Sequence, residues 1–258
     1  MSEKHYEAVI GTFPTSDDWR NRLGSVYTPQ PSSELAADDA DWPALTLSQV
    51  AVGSMGAARD HLQAVRVLID AREVFPYAQA SLVRTALLSA GQAVWLLAPD
   101  DRAERLKNAR TLTAHTYDQH LQFLHDLQGL AATPHAGTDA VEQHVATRSS
   151  QLAQQRAADG QKAKFNATAV VQSAALAAWG KEDLAKEVKV EWRSGSGAAH
   201  GLLWSVFGRV GTQVTGVEPN GMAVFAAGGA IDDFANAYFA AFHLLRHAFT
   251  LLERRGGS

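Results

Sequence analysis

The chain has 258 residues, enough for one large domain with a substantial core and no covalent staples. It contains no cysteine, which excludes disulfides and thiolate chemistry and fits a reducing compartment. A net charge of −4 excludes a broadly basic nucleic-acid-coating protein but leaves room for a local basic cleft. The first residues, Met-Ser-Glu-Lys-His-Tyr, lack a basic segment followed by an apolar run, and no run of about 18 apolar residues follows, so neither a signal peptide nor a membrane span is expected and a cytoplasmic place is. Alanine is abundant and strand-like alternation is scarce, so the pattern predicts a mainly α fold: a helical bundle of about six to eight helices. An extended N-terminal arm over 1–43 precedes the helical domain at 44–258, which carries a small β-hairpin near 211–225.

Taken in order, residues 1–42 carry Pro14, Pro29 and Pro31 among many Ser and Asp, and read as an extended arm with a short helix at 33–41, anchored by Trp19, Tyr27 and Trp42. Residues 44–73 place Leu47, Val50, His61, Leu62, Val65 and Ile69 at helical spacing, with His61 a partly buried histidine rather than a catalyst. Residues 76–98 form a second helix, opened by Pro76 and closed before Pro99. Arg84 lies here on an apolar stripe with Leu88, Gly91 and Trp95. A charge on such a stripe needs a partner if buried, so Arg84 is either a second cation aimed at an anion site or a snorkelling or ion-paired arginine.

Residues 101–131 predict a long helix opened by a capping box of Asp101 and Glu104, with a basic first half of Arg102, Arg105, Lys107 and Arg110. His115, His120 and His125 are spaced by five and share no metal-ligand face, and His243 and His247, although at i, i+4, lack the Glu of an HExxH motif. No metal or cofactor is expected. A turn is expected at 133–138, a polar helix at 139–158, and helices at 164–178 and 181–189 broken at Gly180. The β-rich stretch 211–225 centres on Pro219-Asn220-Gly221, a hairpin signal, and 228–254 predicts a final apolar-faced helix.

One stretch concentrates catalytic residue types: Glu191-Trp-Arg-Ser-Gly-Ser-Gly-Ala-Ala-His-Gly-Leu-Leu-Trp-Ser-Val-Phe-Gly-Arg209. An unbroken helix would set Arg193 and His200 on one face, about 10 Å apart along the axis. The Ser-Gly-Ser-Gly run argues against that, because glycine is a poor helix residue. A loop followed by a new helix capped by Ser196 is expected, and its free N–H groups and positive dipole end would then lie between Arg193 and His200, forming an anion site. Arg193 would add a forked positive charge and His200 a group that moves protons near neutral pH. The plainer alternative packs His200 in a core and pairs Arg193 with Glu191.

Arg193 and His200 fit the R-x(4–6)-H pattern and resemble the HEPN superfamily, helical domains that include many RNases of toxin–antitoxin, CRISPR and phage-defence systems. The Trp192-Arg193-x-x-Ser196-x-x-x-His200-Gly201 form, and a second segment over 82–99 followed by Arg105 and Arg110, are similar to segments of uncharacterised bacterial helical proteins. The resemblance implies a metal-independent endoribonuclease, with Arg193 and His200 catalytic and Arg84, Ser194, Ser196 and Arg105 on the substrate. It also implies a homodimer with both motifs facing one cleft, an RNA or nucleotide ligand, and a toxin or phage-defence role with an antitoxin or defence-system partner. Two alternatives stand beside it: a non-catalytic helical module that binds a nucleotide or other anion, which Ser194 and the acidic net charge favour, and a structural, partner-binding helical protein with Arg193 and Arg84 ion-paired in the core.

Overall fold

The computed structural model describes residues 3–130 and 137–257. Among these the chain is mainly helical with one small antiparallel sheet, the class the sequence predicts. The N-terminal stretch departs from expectation. It is not an extended arm but holds α1 (Glu3–Ile10), α2 (Phe13–Leu23) and α3 (Glu34–Asp39), the last where the short helix was expected. Pro14 is one reason: it sits in the first turn of α2, where a missing N–H costs nothing. Val9, Phe13, Trp19 and Leu35 join the main core, and the Trp19 ring packs on Phe242 and Phe249 with centroids 4.9 and 5.3 Å away.

α4 (Leu47–Asp70) opens with a complete capping box of Thr46 and Gln49. α5 (Ala78–Leu97) begins two residues beyond Pro76 and closes before Pro99 as predicted. α6 (Arg102–Leu130) keeps half of its expected box: the Asp101 carboxylate accepts from the Ala103 N–H at 3.0 Å, while Glu104 turns to Lys107. The turn expected at 133–138 lies outside the described residues as far as 136, and α7 (Thr138–Ala158) follows. α8 (Ala167–Trp179) stops at Gly180, whose φ of 61° is a left-handed helix end, and α9 (Glu182–Ala199) starts there. β1 (Thr212–Val217) and β2 (Ala223–Ala227) form the expected hairpin, with a register shift between Val214 and Gly216. α10 (Ala235–Gly256) completes the chain.

α5 is the centre. α4, α8, α9 and α10 pack around it, and Ala86, Ala90, Gly91 and Ala93 let them approach closely. By length and composition α5 is apolar enough to cross a membrane, but 61% of that window is buried by neighbouring helices, as in a core helix. α6 and α7 form a hairpin with its own small cluster of Tyr117, Leu124, Val145 and Leu152, tied to the body by Trp42, whose Nε1–H donates to the Tyr117 hydroxyl at 3.2 Å.

The carbonyls left over at the end of α5 are collected by two buried arginines. Arg255 donates to Leu97 O at 3.1 Å and Pro99 O at 2.9 Å, and Arg105 donates to Pro99 O at 3.1 Å and Asp100 O at 2.9 Å. Asp38 and Glu34 of α3 supply the negative charge for Arg105, and Glu34 also pairs with Arg255. α3 is therefore a charged clamp across the C-terminal ends of α5 and α10 and the start of α6.

His243 and His247 lie one turn apart on α10. Burial holds both below the ordinary imidazole value, with Arg246 acting on the first and Arg254 on the second in the same direction. A depressed histidine contributes stability above its unfolded value of about 6.5, and this is lost as pH falls through the folded value. The thermal midpoint should therefore drop between about pH 7 and 5, and less steeply in a His243→Gln, His247→Gln variant. Parallel pH profiles for the two proteins would assign the drop to other groups.

Candidate functional site

α9 buries Ala185, Val188, Trp192 and Gly195 on one face, at spacings of three and four. The Trp192 Nε1–H donates to Thr168 Oγ1 of α8 at 3.1 Å, which fixes the rotation of α9 about its axis. A flanking face is a ridge of Lys186, Lys189, Arg193 and His200, with Arg193 and His200 exposed. α9 is continuous from Glu182 to Ala199, so the two lie about 10 Å apart along the axis. Among the described residues neither side chain makes a hydrogen bond, ion pair or ring contact.

The helix does not break at Ser-Gly-Ser-Gly, and this corrects the expected anion site. Ser196 is not an N-cap. It sits in the last turn of α9, where its hydroxyl donates to Trp192 O at 2.9 Å. The helix end nearest His200 is a C-terminus, closed by the His200, Gly201 and Leu202 N–H groups on Ser196, Ala198 and Gly197 carbonyls. Such an end carries partial negative charge, so no helix dipole draws an anion between Arg193 and His200. Any attraction there comes from the side chains alone.

The two glycines explain why the helix persists. A Cβ on Gly195 would fall 2.7 Å from Arg84 Cβ and 3.2 Å from Ala80 O, so Gly195 is where α5 and α9 touch. A Cβ on Gly197 would fall 2.6 Å from Cζ2 of Trp204 and 2.9 Å from Ser205 Cβ. Each glycine costs the helix about 1 kcal/mol, which the close packing offsets. Beyond His200, Gly201 at φ 65° reverses the chain into a single 3-10 turn over Leu203–Val206, not the apolar helix expected to 207. That turn lays the Trp204 ring on Gly197, between the levels of Arg193 and His200. Gly197→Ala should push the ring off and lower stability by roughly 1–3 kcal/mol. Trp204 fluorescence and the urea midpoint read both effects, and an unchanged spectrum would refute the packing argument.

Arg84 finds a partner where its awkward stripe asked for one. Its Nε–H donates to Ser196 Oγ at 2.9 Å across 112 residues, and its guanidinium lies 4.2 Å from the Trp192 ring centroid. No carboxylate pairs with it among the described residues, and burial lowers its pKa from the ordinary value. Ser194 is set apart from the ridge: it lines a cleft of about 10 Å³ with Arg84, Glu191, Arg209 and Asp233. Arg105 is elsewhere, only 2% exposed, with its donors spent on Asp38, Pro99 O and Asp100 O. An arginine so engaged has nothing left for a substrate, which corrects its assignment as a substrate contact.

No family model, curated protein or solved structure matches the chain.

Two residues outside the predicted set belong to this region. Arg209 donates to Pro76 O at 2.6 Å, while its Nη2 is buried without a partner among the described residues. Burial lowers its pKa, against the opposing charges of Asp233 and Glu191. Glu191 faces Arg209 and not Arg193: burial raises its carboxyl above the ordinary range, offset by Arg209 and a hydrogen bond with Asn236. Residues two apart on a helix point in nearly opposite directions, which is why the Arg193–Glu191 pair does not form. Asp233 clamps the hairpin base, accepting from the Val210 N–H at 2.7 Å and the Ala230 N–H at 2.9 Å. The sequence signal was present in the single arginine that ends the apolar stretch after His200.

Proposed function

We propose that the chain is a HEPN-like, metal-independent endoribonuclease that works as a homodimer. The observation that carries the reading is the unpaired, exposed Arg193 and His200 on one ridge of α9. A long arginine held in water without a carboxylate is available to a phosphate, and a histidine two turns along the same ridge is available to move a proton. In the reaction, His200 accepts the proton of the RNA 2′-hydroxyl as its oxygen bonds to phosphorus, and the bond to the 5′-oxygen breaks, that oxygen taking a proton from water to leave as a hydroxyl beside a 2′,3′-cyclic phosphate. Arg193 balances the charge that grows on the phosphoryl oxygens. Lys186 and Lys189 extend the positive ridge for the rest of the strand.

The reading includes a second copy: the backbones of the two residues lie about 10 Å apart along the helix, and a facing α9 would set a second arginine and histidine at the same phosphate. The segment next to His200 supports one. Leu203, Trp204, Val210, Val214, Val217 and Met222 are all at least half exposed, on or beside a hairpin whose strands each keep an open edge. A two-fold axis through this arm would bring two α9 ridges together. Cleavage of RNA by the purified protein in excess EDTA, together with a dimer by light scattering, is the expected result. A folded dimer inert on several RNAs would remove the catalytic reading and leave the second, a module that binds a nucleotide or other anion. That second reading rests on the same exposed Arg193, which offers an anion its forked donors whether or not a bond is cut. A toxin or phage-defence role in the cytoplasm, with an antitoxin or defence partner, follows if cleavage is found.

A further inference from the structure

A cavity of about 570 Å³ opens between the end of α8, α9 and α10, behind the ridge that carries Arg193. Its walls are mainly apolar, with Trp179 and Phe239 supplying aromatic surface and Val188 the floor. Two carboxylates enter it from α9. Glu187 and Glu191 are one turn apart and line the same wall. Across from them, on α10, stands His243, whose Nδ1 is buried with no hydrogen-bond partner among the described residues.

The charges nearby do not cancel this pair. Lys186 lines the rim but reaches Asp183 at 3.2 Å. Arg209 acts on Glu191 but is itself bonded to Pro76 O and shared with Asp233. Asn236 offers a hydrogen bond and no charge. Burial nonetheless destabilises the ionised Glu191, and Glu187 adds to that. A half-buried carboxylate beside a second one, facing an apolar space with two aromatic rings, is complementary to a cation carried on an apolar body.

We propose that this cavity binds a small organic amine, its ammonium held between Glu187 and Glu191 and its apolar body against Trp179 and Phe239. The site is separate from Arg193 and His200 and does not depend on the ribonuclease reading. The like charge of the two glutamates turns carboxylate ligands away, and a neutral analogue leaves Glu191 without its counterion.

Calorimetric titration with 2-phenylethylamine, 2-phenylethanol and 3-phenylpropionate tests this. The amine should bind saturably, the alcohol at least about tenfold more weakly, and the acid not at all. Glu191→Gln and Glu187→Gln should each weaken the amine by about tenfold or more while leaving the alcohol unchanged. Arg209 keeps Asp233 as a countercharge in Glu191→Gln, and circular dichroism checks that this variant folds; Glu187 is exposed, so Glu187→Gln tests the same pair without that risk. Ala240→Trp, which fills the cavity and keeps both glutamates, should abolish amine binding; Arg193→Ala should not change it. Equal binding of all three probes would reduce the cavity to an apolar hole, and preference for the acid, or no amine binding at millimolar concentration, would overturn the proposal outright.

Discussion

Asp38→Ala should cost the fold roughly 3–5 kcal/mol, the effect of stripping a buried arginine of its counterion. The Asp38 side chain is fully buried and that of Arg105 is 2% exposed. The two meet at 2.6 Å through Nε and 3.3 Å through Nη2, a forked pair across 67 residues. Without Asp38 the guanidinium keeps its carbonyl partners on α5 but loses the charge that justified its burial. Glu34 is the only other carboxylate within reach of Arg105 among the described residues, at 3.3 Å, and it already serves Arg255. Arg102, which also bonds Asp38 at 3.1 Å, is half exposed and can return to water. Urea unfolding measures the loss, and a shift below about 1 kcal/mol would mean that Glu34 takes over. Asp38→Leu with Arg105→Met should recover most of it, since an apolar pair of similar volume leaves no charge stranded. The same experiment separates structure from function, because RNA binding per folded molecule should not follow the stability of these variants.

Much of the architecture was legible because it is written locally. The stop at Gly180 and the Pro219-Asn220-Gly221 turn each act over a few residues, and each is where the pattern puts it. The N-terminal stretch misled for the converse reason. Pro14 reads as a breaker when counted and as a helix opener when placed, and Trp19 finds its partners on α10, more than two hundred residues away. The Ser-Gly-Ser-Gly run is the sharper case. Helix propensity says break, but Gly195 and Gly197 are small because Arg84 and Trp204 press on them from two sides, and no local rule carries that contact. Of the candidate site, Arg84 was legible as a charge in need of a partner, and the partner is Ser196 from the same predicted set. Arg105 was misread because its carboxylate lies in a segment taken for an arm.

His200→Ala and Arg193→Ala should each lower RNA cleavage by about 10²–10⁴-fold while leaving the fold intact, since both side chains are exposed and unpartnered. Arg193→Lys should recover only part, because an ammonium cannot offer the forked pair of donors. The stronger test is to mix the two inactive proteins. A rigid helix sets the backbones of Arg193 and His200 of one chain about 10 Å apart along the axis, so we expect the working pair to join Arg193 of one subunit to His200 of the other. In a mixed dimer one of the two sites then regains both groups. Random reassortment makes half of the dimers mixed, so activity should return to about a quarter of wild type. If mixing restores nothing while light scattering shows that subunits have exchanged, the two groups act within one chain, their side chains leaning together along α9. If the single variants cleave as well as wild type, the ridge binds RNA at most, and the chemistry, where there is any, belongs to other residues.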